Sequence, residues 1–408
     1  MTEEVVLDGP YSWFRLAVSV LAGTVVSVGM WSVVLVLPQV QAEFGVSRGD
    51  ASLPYTATMI GFAAGNLLLG RLVDRFGLAA VLIGAALSLA TGFALAAAAP
   101  NIWVFALMQG LLIGTGAAAG FAPLLADVSH WFRRRRGIAV AAAASGNYLA
   151  GAIWPLLLRG IVIEDGWRTA YLIIAAACVL LVVPLALLLR RRMPLAAMVA
   201  GAPGGPAVPL DSGFSARTLV SLLALAGVGC CVAMSMPQVH IVALCVDLGY
   251  GVAAGAEMLA VMLFAGIVSR LVSGFLADMI GGVRTLLIGS VLQGMALVLY
   301  LPFDGLAALY VVSLIFGLSQ GGIVPSYAII VREYLPAREA GRRIGFVIMA
   351  TIVGMALGGW MSGWIYDLTG SYQMAFLNGI AWNALNVMIV VVILLRTRGP
   401  GLRAAVPA

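Results

Sequence analysis

The sequence predicts an all-α membrane protein whose twelve transmembrane helices form two pseudo-symmetric six-helix bundles. Of its 408 residues, 62% are hydrophobic and only 10% are charged, and the mean hydropathy is +1.06. Long apolar runs alternate with Arg clusters or with Gly, Pro and Asp. Landmark residues also recur at one constant spacing in the two halves of the chain. These three observations together carry the prediction.

The hydropathy lies outside the range of soluble domains, so lipid is the expected solvent. About twenty apolar residues span a bilayer, which leaves room for about a dozen helices and no separate soluble domain. The first run, from Leu16 to Leu37, is too long for a signal-peptide core and is expected to remain as helix 1. The runs predict helices near 14–40, 50–73, 78–98, 101–128, 137–160, 168–190, 216–244, 252–277, 284–302, 305–331, 343–366 and 372–395.

A Gly- and Pro-rich stretch separates the sixth and seventh runs, which is typical of a linker. We therefore predict an N-terminal six-helix bundle at 1–192, a cytoplasmic linker at 193–215 and a C-terminal six-helix bundle at 216–408. The Cys residues lack the spacing of a metal site or a disulfide framework, so we expect buried thiols and no metal or cofactor. They are Cys178, Cys230, Cys231 and Cys245.

The distribution of basic residues predicts the orientation in the membrane. All 23 are Arg, and one side of the proposed helices holds only Arg48, Arg159 and Arg168. The Arg-rich side should be cytoplasmic and should contain both termini. The net charge of +6 is then a topology signal and not a sign of nucleic-acid binding. We expect a monomeric, multi-pass protein of the plasma membrane, specifically a bacterial inner membrane.

Landmarks repeat with an offset of 204 residues, which predicts a duplicated six-helix unit. The pairs are Gly70 and Gly274, Asp74 and Asp278, Gly77 and Gly281, Gly137 and Gly341, and Gly166 and Gly370.

The segment from Gly70 to Gly77 contains Asp74 and Arg75 and matches the pattern G-x-x-x-D-R-x-G. It resembles the loop that marks the major facilitator superfamily, which implies that superfamily's fold. Glycines permit a tight turn there, and the acid can bind partners at a neighbouring helix end. The resemblance implies a conformational latch formed by Gly70, Asp74, Arg75, Gly77, Gly274 and Asp278.

Two further segments resemble signatures of the monocarboxylate transporter branch. Asp8-Gly9-Pro10-Tyr11-Ser12-Trp13 precedes helix 1 and is similar to the D-G-x-[aromatic]-[small]-W signature, with Pro10 as a departure. Trp131-Phe132-Arg133-Arg134-Arg135-Arg136-Gly137-Ile138-Ala139 enters helix 5 and is similar to Y-F-x-[KR]-R-R-x-L-A, although Ala141 replaces a Gly that usually follows.

Arg270 is the most informative charged residue. It precedes Asp278 by eight positions, which places it about 12 Å inside helix 8. A cation there costs at least ~2.5 kcal/mol, so it should face a cavity and serve a function. Its planar guanidinium matches a carboxylate. The family resemblance also implies this role, because monocarboxylate transporters bind the substrate carboxylate with an Arg in helix 8.

Other polar side chains within apolar helices are candidates for contacts with the rest of the substrate, and an interhelical hydrogen bond is the alternative role for each. With Arg270, the predicted substrate-binding residues are Tyr327, Gln320, Asn147, Tyr148, Tyr55, Asn66, Gln238 and His240.

The family's proton-coupling residues are missing here. The chain contains no Lys for helix 1, and Gly266 stands where the family has an acid one turn before Arg270. The remaining candidates are His240, Asp127 and Glu257. Glu257 is about 20 Å along the helix from Arg270 and cannot be its direct partner. Asp127 is at the cytoplasmic end of helix 4, where we expect solvent to satisfy it.

These features predict a secondary transporter for a small organic anion, a monocarboxylate, moving with a proton by alternating access. An oxalate/formate-type exchanger is an alternative, although 344–366 in helix 11 lacks the added basic residue of that group. A drug/proton antiporter usually has a Pro in its helix 5 motif, which 146–151 lacks. A non-transporting receptor is less favoured. We predict no catalytic residues and no enzyme activity.

Overall fold

The computed structural model describes residues 7–191, 213–335 and 337–397. Twelve helices in these ranges are long and apolar enough to cross a membrane. In chain order they are α1 (Pro10–Phe44), α2 (Arg48–Phe76), α3 (Leu78–Ala97), α4 (Ile102–Trp131), α5 (Arg136–Glu164), α6 (Trp167–Leu188), α7 (Ala216–Asp247), α8 (Gly251–Ile280), α9 (Gly282–Leu299), α10 (Leu306–Tyr334), α11 (Ala337–Thr369) and α12 (Tyr372–Thr397).

The predicted helices agree with the observed ones to within a few residues. The largest difference is at α11, which begins at Ala337 and not near 343. Its first turns are rich in charged residues, which lower the hydropathy without ending the helix. All four Cys residues are buried, as expected.

The described residues form two compact units. The first contains 7–191 together with Ile241–Phe264, and the second contains 213–His240 together with Ala265–397. Most of the predicted linker 193–215 lies outside the described residues, and the boundaries predicted for the two bundles remain predictions.

The repeated glycines mark equivalent turns in the two halves of the sequence. Gly77 and Gly281 have φ values of 86° and 83°, and Gly166 and Gly370 have values of 83° and 67°. Residues with a Cβ rarely adopt this left-handed region, whereas glycine does so without strain. The constant offset in the sequence therefore corresponds to the same helix-to-helix turns built twice.

Besides α1, which is interrupted at Ser27, two further helices that we predicted to be continuous contain interruptions. Within α4, Gln109–Gly114 is a π-helix and Ala118–Gly120 is a 3₁₀ turn. In α10, the α-helix ends at Gln320 and resumes at Ile323, so Gly321 and Gly322 form the break. The two interruptions lie at nearly equivalent positions, because Gly321 is 204 residues after Ala117. Such breaks free backbone groups inside a membrane and often accompany a functional site.

Glycines also allow close helix crossings beside these breaks. A Cβ on Gly61 of α2 would collide with the carbonyl oxygen of Gly110 in α4. In the second unit, a Cβ on Gly321 of α10 would collide with the carbonyl oxygen of Gly266 in α8. Small residues are the usual means of close helix approach in lipid.

Candidate functional site

Arg270 lies in α8 beside the break in α10. Its side chain is half-buried, and its Nε–H donates to the carbonyl oxygen of Gly321 across 3.4 Å. The backbone of α10 can approach this closely only because Gly321 has no side chain, since a Cβ there would lie 2.8 Å from the backbone nitrogen of Arg270. Gly322 packs equally closely, and a Cβ on it would collide with the side chain of Ser273. The glycine pair therefore allows α10 to pack closely against the part of α8 that contains Arg270.

Gln320 and Gln238 meet at the same break. Gln320 is the last residue before Gly321, and its Oε1 accepts a hydrogen bond of 2.6 Å from Nε2 of Gln238 in α7. Both side chains are almost completely buried. Within the described part of the chain, Gln320 Nε2 and Gln238 Oε1 have no hydrogen-bond partner. An unsatisfied buried amide is costly, so this pair offers one donor and one acceptor to a polar ligand.

Tyr327 is two turns further along α10 and makes different contacts. Its hydroxyl donates to Oδ1 of Asn386 across 3.0 Å, and Nδ2 of Asn386 donates to the Ser290 hydroxyl across 2.7 Å. These bonds join α10 to α12 and α9, and the Tyr327 side chain is fully buried. The sequence analysis missed Asn386 and Ser290, although Asn386 is detectable as an amide within an apolar helix.

The first unit contains the other predicted amide and phenol groups. The indole Nε1–H of Trp31 donates to the side-chain Oδ1 of Asn147 at 2.9 Å. The same nitrogen is 3.0 Å from the backbone carbonyl oxygen of Asn147. Tyr148 and Tyr55 are both buried. Nδ2 of Asn66 donates to the carbonyl oxygen of Phe62 in its own helix. The sequence analysis did not single out Trp31, which orients the Asn147 side chain.

His240 is completely buried in the second unit and is bonded through both ring nitrogens. Its Nε2 is 2.8 Å from the carbonyl oxygen of Gly359, and its Nδ1 is 3.0 Å from the hydroxyl of Tyr372. A carbonyl oxygen can only accept, so Nε2 carries a hydrogen. In the neutral imidazole, Nδ1 then accepts from the Tyr372 hydroxyl.

The two acids predicted as proton carriers each pair with an Arg in the first unit. Asp127 accepts from Nε and Nη2 of Arg15 at 2.7 and 2.8 Å, and Glu257 pairs with Arg159. The expectation that solvent satisfies Asp127 is therefore wrong. A buried Arg from α1, far away in the sequence, supplies its partner. Glu257 does not pair with Arg270, in agreement with the helix geometry.

The two segments that resemble monocarboxylate transporter signatures lie against each other. The Asp8 carboxylate accepts hydrogen bonds of 3.0 to 3.1 Å from the backbone N–H groups of Arg133, Arg134 and Arg135. The Asp8 N–H donates to the carbonyl oxygen of Trp131. The signature acid therefore closes the turn between α4 and α5.

These bonds change the acidity of Asp8, which precedes the first membrane span. Burial acts to raise the pKa of its carboxyl, but the three backbone N–H groups and the charge of Arg135 outweigh it and hold the pKa below its ordinary value. Because the folded-state pKa is depressed, the carboxylate stabilises the fold above its unfolded pKa. This stabilisation is lost as the pH falls through the folded-state pKa.

The predicted latch residues lie at the ends of α2 and α8. Asp74 and Asp278 are both exposed, as are Gly70, Arg75 and Gly274. Gly77 has a positive φ at the turn into α3. The structure therefore places both acids in the last turns of their helices, exposed on the surface.

Comparisons with known proteins agree with this architecture. A family model described as Major Facilitator Superfamily matches residues 19–303 and 222–407. Monocarboxylate transporter 13 of Bos taurus is 30% identical over 329 residues, which cover 80% of this chain and 75% of the bovine protein. Monocarboxylate transporter 11 of Mus musculus is 28% identical over 381 residues, which cover 91% of this chain and 84% of the mouse protein.

Among solved structures, a bacterial homolog of the human lysosomal transporter Spinster, in an inward-facing and unoccupied conformation, has a similar fold. The TM-score is 0.71 at 13% sequence identity, and the match covers 95% of this chain and 97% of the other. At that identity the likeness concerns the fold alone.

Proposed function

Because the chain belongs to the major facilitator superfamily and resembles its monocarboxylate transporter branch, we propose that it moves a small monocarboxylate together with a proton by alternating access. It is a multi-pass membrane transporter and not an enzyme. The substrate class, the proton and the site residues are the parts that we propose.

The observation that carries the proposal is the position of Arg270. A half-buried guanidinium lies two turns inside a membrane helix, beside the break in α10. A carboxylate can bind an Arg bidentately through the two terminal amino groups alone, and that arrangement is compatible with the bond from Nε to Gly321. Partial burial strengthens such a pair relative to water. A single cation at this position favours a substrate with a single carboxylate.

The amide pair supports a polar contact for the rest of the substrate. Gln320 is next to Gly321, whose carbonyl oxygen accepts a hydrogen bond from Arg270. The Gln320 side chain in turn accepts a hydrogen bond from Gln238. A substrate oxygen could accept from Gln320 Nε2, which lacks a partner among the described residues. Further substrate contacts are proposed, as from the sequence, at Asn147, Tyr148, Tyr55 and Asn66 in the first unit and at Tyr327 in the second.

The charges on the Arg-poor side support the proposed orientation, with both termini in the cytoplasm. Its three Arg residues each pair with an acid, so their charges are compensated locally. The pairs are Arg48 with Asp247, Arg159 with Glu257 and Arg168 with Glu43. The orientation itself rests on the Arg count, which is three on this side and far larger on the other. A bacterial inner membrane and a monomeric state remain predictions.

Uptake by proteoliposomes tests the function directly. We expect saturable uptake of short radiolabelled monocarboxylates, faster with an inward proton gradient and absent for the matching neutral amides. Dicarboxylates should not be carried, because one guanidinium satisfies one carboxylate. Obligatory exchange of oxalate for formate, or extrusion of cationic drugs without any carboxylate uptake, would contradict the proposal.

We propose His240 as the proton carrier, because the ordinary pKa of a histidine side chain lies nearer to neutral pH than that of any other side chain. Protonation of Nδ1 would require the Tyr372 hydroxyl to turn from donor to acceptor, which couples the charge state to the contact between α7 and α12. The groups that face the imidazole are the Gly359 carbonyl of α11 and the Tyr372 hydroxyl of α12. The ring of Tyr372 lies 4.6 Å from the ring of Tyr366.

We expect His240→Gln to weaken the dependence of uptake on the proton gradient while substrate binding and counterflow exchange persist. Tyr372→Phe is the matched control, because it removes the same hydrogen bond and leaves the imidazole in place. An unchanged gradient response in His240→Gln would exclude this carrier and direct attention to Asp127 and Glu257. Uptake by the wild type that ignores the gradient would exclude obligatory proton coupling.

A further inference from the structure

An apolar groove runs between α2, α3 and α4 on the surface of the first unit. Its volume is about 320 Å³, and its lining includes Leu72 and Phe76 of α2 and Gly84 and Ser88 of α3. Phe76 is 51% exposed and Leu72 is 40% exposed. All three helices are long and apolar enough to cross a membrane, so this exposed apolar surface is suited to contact with hydrocarbon.

We propose that this groove binds one acyl chain of an anionic phospholipid, whose phosphate lies at the turn between α2 and α3. The groove extends along α3 from Ala80, near this turn, to Ser88. Eight residues of helix give it a length of about 12 Å. The hydrocarbon depth of one leaflet is about 15 Å, so an acyl chain entering at the Arg-rich side can follow the groove for most of its length.

At the deep end of the groove, side-chain hydroxyls bind two backbone carbonyl oxygens of the π-helical segment of α4. The Ser88 hydroxyl donates to the carbonyl oxygen of Leu112 at 2.9 Å, and the Thr115 hydroxyl donates to that of Gly110 at 3.3 Å. These bonds satisfy carbonyl groups that the irregular helix frees. An acyl chain therefore meets an apolar surface where the helix is interrupted.

The shallow end of the groove suits an anion. The Arg75 guanidinium lies 5.1 Å from the centre of the Phe76 ring, which lines the groove. The first turn of α3 contains no acidic residue, and its N-cap Gly77 provides no side-chain hydrogen bond. A phosphate there would meet a guanidinium and the positive end of the α3 dipole together.

The second unit supplies an internal comparison at the equivalent helix start. There, both carboxylate oxygens of Glu333 lie within 3.1 Å of the Gly282 nitrogen, at the first residue of α9. The residue 204 positions before Glu333 is Ser129, which is not charged. The second unit therefore carries its own anion at a position where the first unit has none, which favours an external anion in the first unit.

The two halves of the sequence also differ at one position that lines the groove. Gly84 lines it, and a Cβ at this position would meet no atom within 4 Å. The residue 204 positions later is Ile288, whose branched side chain would occupy the equivalent space. Gly84→Ile should therefore fill the groove without disturbing any packed neighbour.

Lipid retention by the purified full-length protein tests the proposal. After exchange into detergent with phosphatidylglycerol or diacylglycerol, native mass spectrometry counts the lipids that remain bound. We expect retained phosphatidylglycerol and no retained diacylglycerol. Gly84→Ile should reduce phosphatidylglycerol retention about tenfold through loss of chain burial, and Arg75→Gln about fivefold through loss of one interfacial charge.

Matched variants separate this site from general lipid contact. Gly160→Ile adds the same side chain at an exposed glycine of α5 that also has nothing within 4 Å, and Arg71→Gln removes the same charge one turn earlier in α2. Both should retain phosphatidylglycerol as the wild type does, and thermal unfolding should confirm that all four variants are folded. Normal retention by Gly84→Ile, an equal loss in Gly160→Ile, or equal binding of diacylglycerol would overturn the proposal.

Discussion

Arg270→Gln and Arg270→Lys are expected to lose specific substrate binding while still folding and inserting in the membrane. Two charge-assisted hydrogen bonds to a carboxylate contribute about 3 kcal/mol or more, so Gln should weaken binding by about a hundredfold or more. Lys keeps the charge but lacks the planar fork of donors, so it should not restore binding. Loss of binding in Arg270→Lys would show that bidentate geometry, and not charge attraction alone, is required.

Equilibrium binding of the best substrate from the uptake panel, measured in detergent by calorimetry, is the readout. Arg284→Gln is the matched control, because it removes an Arg of the same unit that is exposed at the start of α9. Its binding should equal that of the wild type. Wild-type affinity in Arg270→Gln would remove Arg270 from the site, whereas loss of carboxylate uptake in every variant would indicate a folding defect, which the thermal unfolding curve detects.

The helices could be predicted from the sequence because each depends on the composition of one continuous segment. An apolar run of about twenty residues forms a membrane helix in any tertiary context. The turns at Gly77 and Gly281 were also predictable, since a positive φ is a local property. Their repetition allowed one half of the chain to support the interpretation of the other.

The breaks in α4 and α10 could not be predicted in this way. The chain contains 49 Gly residues, and most of those in helices look alike in the sequence, whether they serve packing or a break. Gly321 becomes distinctive only beside α8, where its missing Cβ admits the backbone around Gly266 and Arg270. The contact between Gly321 and α8 depends on the tertiary structure, and no local pattern in the sequence indicates it.

The candidate site was predictable in part for the same reason. The seven-residue spacing of Gln320 and Tyr327 places them on one face of α10, but the spacing does not identify the helix that each side chain contacts. The structure joins Gln320 to Gln238 and joins Tyr327 to Asn386. Polar residues within apolar helices could be identified as important, whereas the division between binding and interhelical bonding required the neighbours.

The partners of the acids were also beyond the sequence. Arg15 and Asp127 are 112 residues apart, and Arg159 and Glu257 are 98 apart. No spacing rule connects such residues. Asp127 therefore read as a solvated acid at a helix end, when it actually neutralises a buried cation.

Disrupting the pair of Arg15 and Asp127 should be strongly destabilising. Arg15 is only 2% exposed, and besides Asp127 its Nη2 reaches the carbonyl oxygen of Leu189 at 3.0 Å. Its guanidinium also lies 4.8 Å from the centre of the Trp131 ring. In Asp127→Ala the guanidinium would remain buried without its bidentate partner, which typically costs about 3–5 kcal/mol. We expect a large fall in the midpoint of thermal unfolding and in the yield of monodisperse protein.

Glu43→Gln provides the contrast within the same unit. The pair of Glu43 and Arg168 is partly exposed, with side-chain exposures of 42% and 36%. Water screens such pairs, so its loss should cost no more than about 1 kcal/mol. Equal destabilisation by Asp127→Ala and Glu43→Gln would show that burial of the Arg15 pair does not set its energetic importance.

The double variant Arg15→Met, Asp127→Leu separates stability from proton transfer. Replacing both charges with apolar side chains removes the uncompensated cation, so most of the stability lost in Asp127→Ala should return. The folded double variant can then be assayed for uptake with and without a proton gradient. If His240 is the carrier, the double variant should respond to the gradient as the wild type does. A stable double variant that transports the carboxylate without any gradient response would instead assign the proton to Asp127.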